Sequence, residues 1–364
     1  MLLVILRLGV WPLRTPRNTV RWLGDRPGLE FRKFSTAITF NSFTVPDSGT
    51  LEIWLKPERA FDRHTIMGFT TPEHPYRFVM LQVESALEIQ TESGGHWFPK
   101  MSALQVDDVF RGAPPILFTM TTDEHRGAVY VNGVLAKEAP VPFHFDGRLV
   151  VGSSPGEQNS WRGQIYGVGV YARQLTPAEV ARHYALWTEH QTEELSRGEP
   201  PVAIYSFDER GGNFVHNLEG RGFDLWLPRD YTVVNQFFLE PVWREFSSSP
   251  TYWGDVFRNV VGFIPVGFCF YPLMLAFGMR RAGLATVAAG AAISLGMELI
   301  QAMMPARDSG TTDILTNTTG TWLGIVAYIA ARRILIALSP LYQPAPLVTA
   351  GEPADLCSKT QTRG

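Results

Sequence analysis

The chain has 364 residues, enough for two or more domains at roughly 150 residues each. Hydrophobic residues make up 45% and charged residues only 18%, which excludes wholesale disorder and, with charge below the roughly 25% usual in soluble domains, points to a segment in lipid. A net charge of −3 offers no basic field for nucleic acid, and two distant cysteines, Cys269 and Cys357, exclude a disulfide scaffold or a thiolate zinc centre.

Residues 1–29 form an N-terminal apolar segment and linker. The opening MLLVILRLGVWPL is short for a membrane span, carries Arg7 in its middle and lacks a small-residue cleavage site. It reads as a membrane anchor shortened by a misassigned start or as a marginal first helix, with a frayed apolar terminus as the alternative. From 30 to 235, charges, Gly, Pro and Asn punctuate the chain, and short alternating runs recur: LEIWLKP (51–57), RFVMLQV (77–83), ILFTMTT (116–122), GAVYVNGVLA (127–136), RLVVGSS (148–154) and GQIYGVGVYA (163–172). Alternation of this kind marks strands with one buried face. Asn132-Gly133 tolerates the positive φ of a tight hairpin, and Asp146-Gly147 marks another turn. Strands at this spacing predict an antiparallel sandwich. A helix follows, with Thr176 as its cap, Pro177 in its first turn and Glu179 at capping-box spacing; AEVARHYALW then runs on to a polar break at 188–200. A further β-like stretch, PVAIYSFDERGGNFVHNLEGRGFDLWLP, comes next.

Residues 236–340 change character. Val260 to Met279 holds no charged side chain, Ala282 to Ala306 holds only Glu298, and Ile314 to Ala331 again holds none. About 20 apolar residues cross roughly 30 Å of hydrocarbon as a helix. The three runs meet that requirement, whereas a soluble three-helix core would need more polar chain to cover it. Residues 341–364 form a tail without periodicity, predicted flexible.

The runs SGTLEIWLKP, ILFTMTTDEHRGAVYVNG and WRGQIYGVGVYARQLTPAEVARHY resemble a LamG-type, concanavalin A-like jelly roll. YSFDERGG resembles the motif that usually opens such a domain, yet it follows the helix, an order that suits strands closing the sandwich. The segments DVFRNVVGFIPVGF and SLGMELIQAMMPARDSGTTDILTNTTGTWLG resemble the VanZ-like family, through the spacing E-x-x-Q, P-x-R-D, D-x-x-x-N-T-x-G. The two resemblances imply a multidomain fold: an all-β antiparallel jelly-roll sandwich followed by an all-α transmembrane helical domain. They further imply a bacterial cell-envelope membrane protein. The VanZ-like family is named for a low-level teicoplanin-resistance protein and has no established biochemical activity.

Arg280 and Arg281 lie between the first and second runs and Arg332 and Arg333 close the third, while PARDSGTTD balances one Arg with two Asp. Basic residues concentrate on the cytoplasmic side. The C-terminus is therefore expected inside, with the 305–313 loop and the sandwich outside.

That orientation gathers polar residues at the outer face. Asp255, Arg258 and Asn259 begin the first run, Ser294, Glu298 and Gln301 end the second, and Asp313 and Asn317 begin the third, with Arg307 and Asp308 between. Spacings of three and four put each set on one helix face. An intramembrane carboxylate is costly and faces a partner or a wet cavity, which makes Glu298 the most informative residue. One reading is a ligand pocket, with Arg307 or Arg258 recognising a phosphate or carboxylate and Glu298 or Asp313 handling protons. The other is interhelical glue. Gly262, Pro265 and Gly267, like the G-x-x-x-G of Gly320 and Gly324, suit close helix approach or a broken helix.

The expected partners are the bilayer and an envelope glycan, lipid-linked precursor or surface protein, with no nucleic acid. An enzyme acting on an envelope lipid or glycan, and an anchor displaying a binding module, remain as alternatives. No cofactor is called for; Asp123, Glu124 and Asp208 are the residues available for calcium in the LamG-like region, against a solvated turn. His64, His74, His96, His125, His144, His183, His190 and His216 show no metal-ligand spacing and read as surface or turn residues. Trp54, Trp97 and Trp161 suit sugar stacking or, by default, core packing.

Overall fold

The computed structural model describes residues 15–93, 100–197, 200–220, 222–235, 238–242, 246, 250–302, 304 and 309–338. The N-terminal segment 1–14, Trp97, His96, Arg307, Asp308 and the tail from 339 lie outside the described residues. Two compact units partition the chain: Met1–Val256 with Ala292–Leu315, and Phe257–Ala291 with Thr316–Gly364.

The first unit contains two antiparallel sheets, each of eight strands among the described residues. In spatial order the first sheet runs Arg21–Trp22, Leu29–Phe31, Gly163–Tyr171, Gly49–Pro57, Ile116–Thr122, Gly127–Val131 and Val134–Ala139. The second runs Phe214–Val215, Leu225–Trp226, Ala37–Thr39, Arg148–Val151, Asp62–Thr70, Phe78–Glu84, Ala86–Ser93 and Lys100–Val106. The alternation in Gly49–Pro57 explains the layering. Leu51, Ile53 and Leu55 point into the core between the sheets, while Glu52 and Trp54 face the opposite side. Aromatic rings fill that core, with Phe43 stacked on Phe223 at 4.6 Å and Phe78 edge-on to Phe145 at 5.1 Å. Each fully buried ring contributes roughly 1.5–3 kcal/mol of transfer free energy.

The tight hairpin forms as the sequence dictates. Asn132 and Gly133 take φ of 51° and 80°, the positive pair that a two-residue turn needs between Gly127–Val131 and Val134–Ala139. The stretch after the helix closes the sandwich and contributes to both sheets. Ala203–Tyr205 pairs with Gly163–Tyr171, and Leu225–Trp226 pairs with Ala37–Thr39. One edge of Gly163–Tyr171 is thus shared: Leu29–Phe31 covers Gly163–Ile165 and Ala203–Tyr205 covers Val168–Val170. Among the described residues the first paired strand is Arg21–Trp22, which joins Leu29–Phe31. Beyond it Arg17 bridges Asp230, and the Tyr231 N–H donates to the Pro16 carbonyl at 2.9 Å.

Helix α1, Pro177–Thr188, lies on the outer face of the first sheet and buries Val180, His183, Leu186 and Trp187. Its capping box is complete. Thr176 Oγ1 accepts from the Glu179 N–H at 3.4 Å, and Glu179 Oε2 accepts from the Thr176 N–H at 2.8 Å. Arg173, 2.8 Å away, is the main reason the Glu179 carboxyl is held down to about 2.

The three apolar runs form helices α2 (Pro250–Ala276), α3 (Ala282–Ala302) and α4 (Thr311–Leu338), all long and apolar enough to cross a membrane. At 1.5 Å per residue, α3 is roughly 31 Å long, the thickness of the hydrocarbon. Their outer faces display Phe257, Leu284, Trp322 and Leu335, each more than half exposed, as lipid-facing surfaces require. Within the second unit, glycines set the helix contacts. A Cβ on Gly320 would strike the Val260 carbonyl, one on Gly324 the Ile264 carbonyl, and one on Gly267 the Thr321 carbonyl. The G-x-x-x-G pair therefore lets α2 and α4 touch backbone to backbone. Thr321, fully buried, turns its hydroxyl to the Asn317 carbonyl of its own helix at 3.0 Å. The chain is a membrane protein carrying an antiparallel sandwich.

Candidate functional site

Glu298 is 1% exposed near the end of α3, with Ser294 and Gln301 buried on the same helix face. Its Oε2 accepts the Gly310 N–H at 2.9 Å, so the carboxylate holds the backbone of the loop between α3 and α4. The same loop is held from the other side by the segment that leaves the sandwich. The Glu240 N–H donates to the Ser309 carbonyl at 2.8 Å, and the Thr311 N–H donates to the Glu240 carbonyl at 2.9 Å. The Thr311 hydroxyl adds a bond to that carbonyl at 2.8 Å, and the Leu239 N–H reaches Ser309 Oγ at 3.4 Å. A charge-assisted bond to a backbone N–H is how a buried carboxylate is kept.

The other polar residues are distributed as follows. In the first unit, Asp255 is exposed and Asp313, in the first turn of α4, is half-buried, where a negative charge complements the helix dipole. In the second unit, Arg258 is exposed, Asn259 half-buried and Asn317 3% exposed. Ser294, Glu298 and Gln301, spaced by four and three residues, are all buried.

The sandwich holds a second polar centre, absent from the sequence reading. Glu52 is fully buried and accepts from Trp187 Nε1 at 2.9 Å, Tyr171 Oη at 3.0 Å and Thr119 Oγ1 at 3.4 Å. His183 Nδ1 lies 3.2 Å from both carboxylate oxygens. A carboxylate only accepts, so that nitrogen carries the hydrogen. Burial, then the adjacent Glu52 charge, push the Tyr171 hydroxyl well above its ordinary range. His183 is thus not a surface or turn histidine: it faces inward on α1 because the Val180-His183-Trp187 spacing turns one stripe to the sheet.

The remaining sequence candidates separate cleanly. Trp161 is fully buried and donates to Gln82 Oε1 at 2.8 Å, a core residue. Trp54 instead lines a pocket of about 290 Å³ with Pro27, Tyr166, Trp187, His190, Thr192, Ser206, Asp208 and Arg210. Its ring lies 5.1 Å from Tyr166 and 5.3 Å from His190, centroid to centroid. Asp123 accepts the backbone N–H groups of His125 and Arg126 at 2.8 and 2.9 Å, which holds its carboxyl below the usual range and spends it on a turn. Among the described residues no group of three His, Cys, Asp or Glu is placed to hold a metal.

Two segments of the chain match known families. Residues 33–181 match the concanavalin A-like lectin/glucanases superfamily, and residues 199–335 match VanZ/LLP1. No curated protein matches the chain. Among solved structures, a candidate carbohydrate binding protein from Bacteroides ovatus ATCC 8483 is 16% identical, covering 55% of this chain and 57% of that one, with a TM-score of 0.41. The binding domain of Paraclostridial Mosquitocidal Protein 1 is 12% identical, covers 46% of each chain and has a TM-score of 0.38. The receptor binding domain of botulinum neurotoxin D is 13% identical, covers 47% and 46%, and has a TM-score of 0.36. The chain thus spans about half the length of the structures it matches, and at these scores the likeness carries no argument about ligands.

Proposed function

From a chain that joins a concanavalin A-like sandwich to a VanZ-like helical domain, we propose a cell-envelope protein with two binding surfaces. The sandwich, outside the cytoplasm, binds an envelope glycan or surface protein. The polar residues at the outer ends of the helices engage a lipid-linked or amphiphilic ligand, with Arg307 or Arg258 on its phosphate or carboxylate. The VanZ likeness supports peptidoglycan-related lipids as the ligand class and a link to glycopeptide resistance. The observation that carries this reading is Glu298, an acid buried at the end of an apolar helix and bonded to the loop that bears Arg307 and Asp308. The Gly310 bond also favours a second reading, in which Glu298 is a loop anchor and nothing more.

Substitution separates the two. Glu298→Gln keeps an acceptor for the Gly310 N–H but loses the charge. If Glu298→Gln and Arg307→Gln abolish equilibrium binding of a fluorescent polyprenyl phosphate to the folded full chain, the ligand reading holds. Binding unchanged in both, with only Glu298→Ala destabilised, leaves the anchor. Orientation is tested in intact cells after replacing Cys269 and Cys357 with Ser. A membrane-impermeant thiol reagent is expected to label Val134→Cys, at an exposed hairpin, and to spare Met279→Cys between α2 and α3. The reverse pattern refutes an extracytoplasmic sandwich.

A further inference from the structure

The Trp54 pocket lies on the outer face of the first sheet, beside the C-terminal end of α1. Its floor is aromatic and rigid. Trp187 is fixed by its bond to Glu52, Tyr166 donates its hydroxyl to Gln164 at 2.6 Å, and Trp54 lies between Tyr166 and His190. Its rim is polar. Asp208 and Arg210 stand exposed on the turn of YSFDERGG, the motif displaced to the end of the sandwich. That turn is itself held in place: Glu209 accepts the His216 N–H at 2.6 Å, and Trp22 Nε1 donates to the Gly212 carbonyl at 2.9 Å.

The backbone around the pocket is unusual. His190, Phe207 and Arg210 take φ of 57°, 59° and 54°, a left-handed conformation that side-chain-bearing residues rarely adopt. Such positions persist where the surroundings over-determine them, and they cluster at ligand sites. Here they turn His190 and the Asp208–Arg210 segment toward one opening.

We propose that this pocket binds one saccharide ring of a glycan, stacked on Trp54. A pyranose presents one apolar C–H face and a rim of hydroxyls, which matches an aromatic floor beside one carboxylate and one guanidinium. An organic cation would suit the aromatic rings alone. Arg26, 5.9 Å from the Tyr166 centroid, and Arg210 at the rim oppose a cation and favour hydroxyl or carboxylate oxygens. A metal is disfavoured by the single acid lining the pocket. The proposal rests on the reading that the sandwich binds a glycan, and places that binding at Trp54, Asp208 and Arg210.

The test uses the full chain in a detergent without a sugar headgroup, titrated against a panel of neutral and N-acetylated oligosaccharides. At least one saccharide is expected to bind, with Trp54→Ala and Arg210→Ala each weakening it tenfold or more and Trp54→Tyr recovering part of the loss. Arg210 is exposed, so its variant reports on binding even if Trp54→Ala fails to fold. Wild-type affinity in Arg210→Ala and in a folded Trp54 variant overturns the pocket while leaving the glycan reading intact. No binding by the wild-type chain overturns the glycan reading itself, and the pocket with it.

Discussion

Replacing Glu52 with alanine removes the acceptor shared by Trp187, Tyr171, Thr119 and His183, all of them buried. Each donor left without a partner costs about 1–3 kcal/mol, and the contributions overlap because the vacated space admits some water. Breaking a buried charged centre typically costs about 3–5 kcal/mol, and that is the range expected. Glu52→Gln retains one carbonyl oxygen with two lone pairs for four donors and turns an NH2 toward the rest, so about 1.5–3 kcal/mol is expected. For a domain of this size each kcal/mol lowers Tm by about 2–4 °C. The alanine variant should therefore melt about 6–20 °C lower, followed through the near-ultraviolet circular dichroism of the full chain in micelles. A cycle pairing Glu52→Ala with Trp187→Phe should show coupling above about 0.5 kcal/mol. A loss under about 1 kcal/mol for Glu52→Ala, or additive single variants, would refute the claim that this carboxylate fastens α1 to the sheet.

Two further outcomes follow from geometry. Gly320→Leu should destabilise the helical region by about 1–3 kcal/mol, because the added side chain meets the Val260 carbonyl. Gly262→Leu, where a Cβ meets nothing within 4 Å, is the matched control, and equal losses in thermal unfolding would defeat the argument. Glu179 carries a depressed pKa, so its contribution is complete above the ordinary value of 4.5 and disappears as pH falls through about 2. Glu179 and Arg173 are about one-third exposed, which limits the effect at pH 7 to less than about 1 kcal/mol. In urea titrations from pH 7 to 2, Glu179→Gln should converge on the wild-type chain at the acid end; a constant difference would exclude the Arg173–Glu179 bond as the cause.

What the sequence disclosed depended on how local the determinant was. The six alternating runs, the Asn132-Gly133 hairpin and the Thr176–Glu179 cap all appear in the structure, because each is decided within a few residues. Asp62–Thr70, Ala86–Ser93 and Lys100–Val106 escaped notice: their apolar content is low or interrupted, and they are strands through pairing with Phe78–Glu84 and with one another. Glu298 announced itself as a lone charge in an apolar run, but its bond to the Gly310 N–H is to a backbone group that no side-chain pattern encodes. Glu52 and His183 were invisible for a stronger reason. They stand 131 residues apart and meet only when α1 folds back over the sheet.

The shared edge of Gly163–Tyr171 has a consequence for biosynthesis. Leu29–Phe31 and Ala203–Tyr205, from opposite ends of the domain, must both arrive before that strand is covered along its length. A nascent chain that has passed α1 has Val168–Val170 paired with Gly49–Pro57 on one edge but still presents the other edge open, a template for aggregation. Arg17 and Asp230 then join just before α2 begins at Pro250. The bridge that closes the sandwich thus precedes α2 to α4 in the chain, so the partners of its shared edge are all synthesised before the first of these three apolar helices.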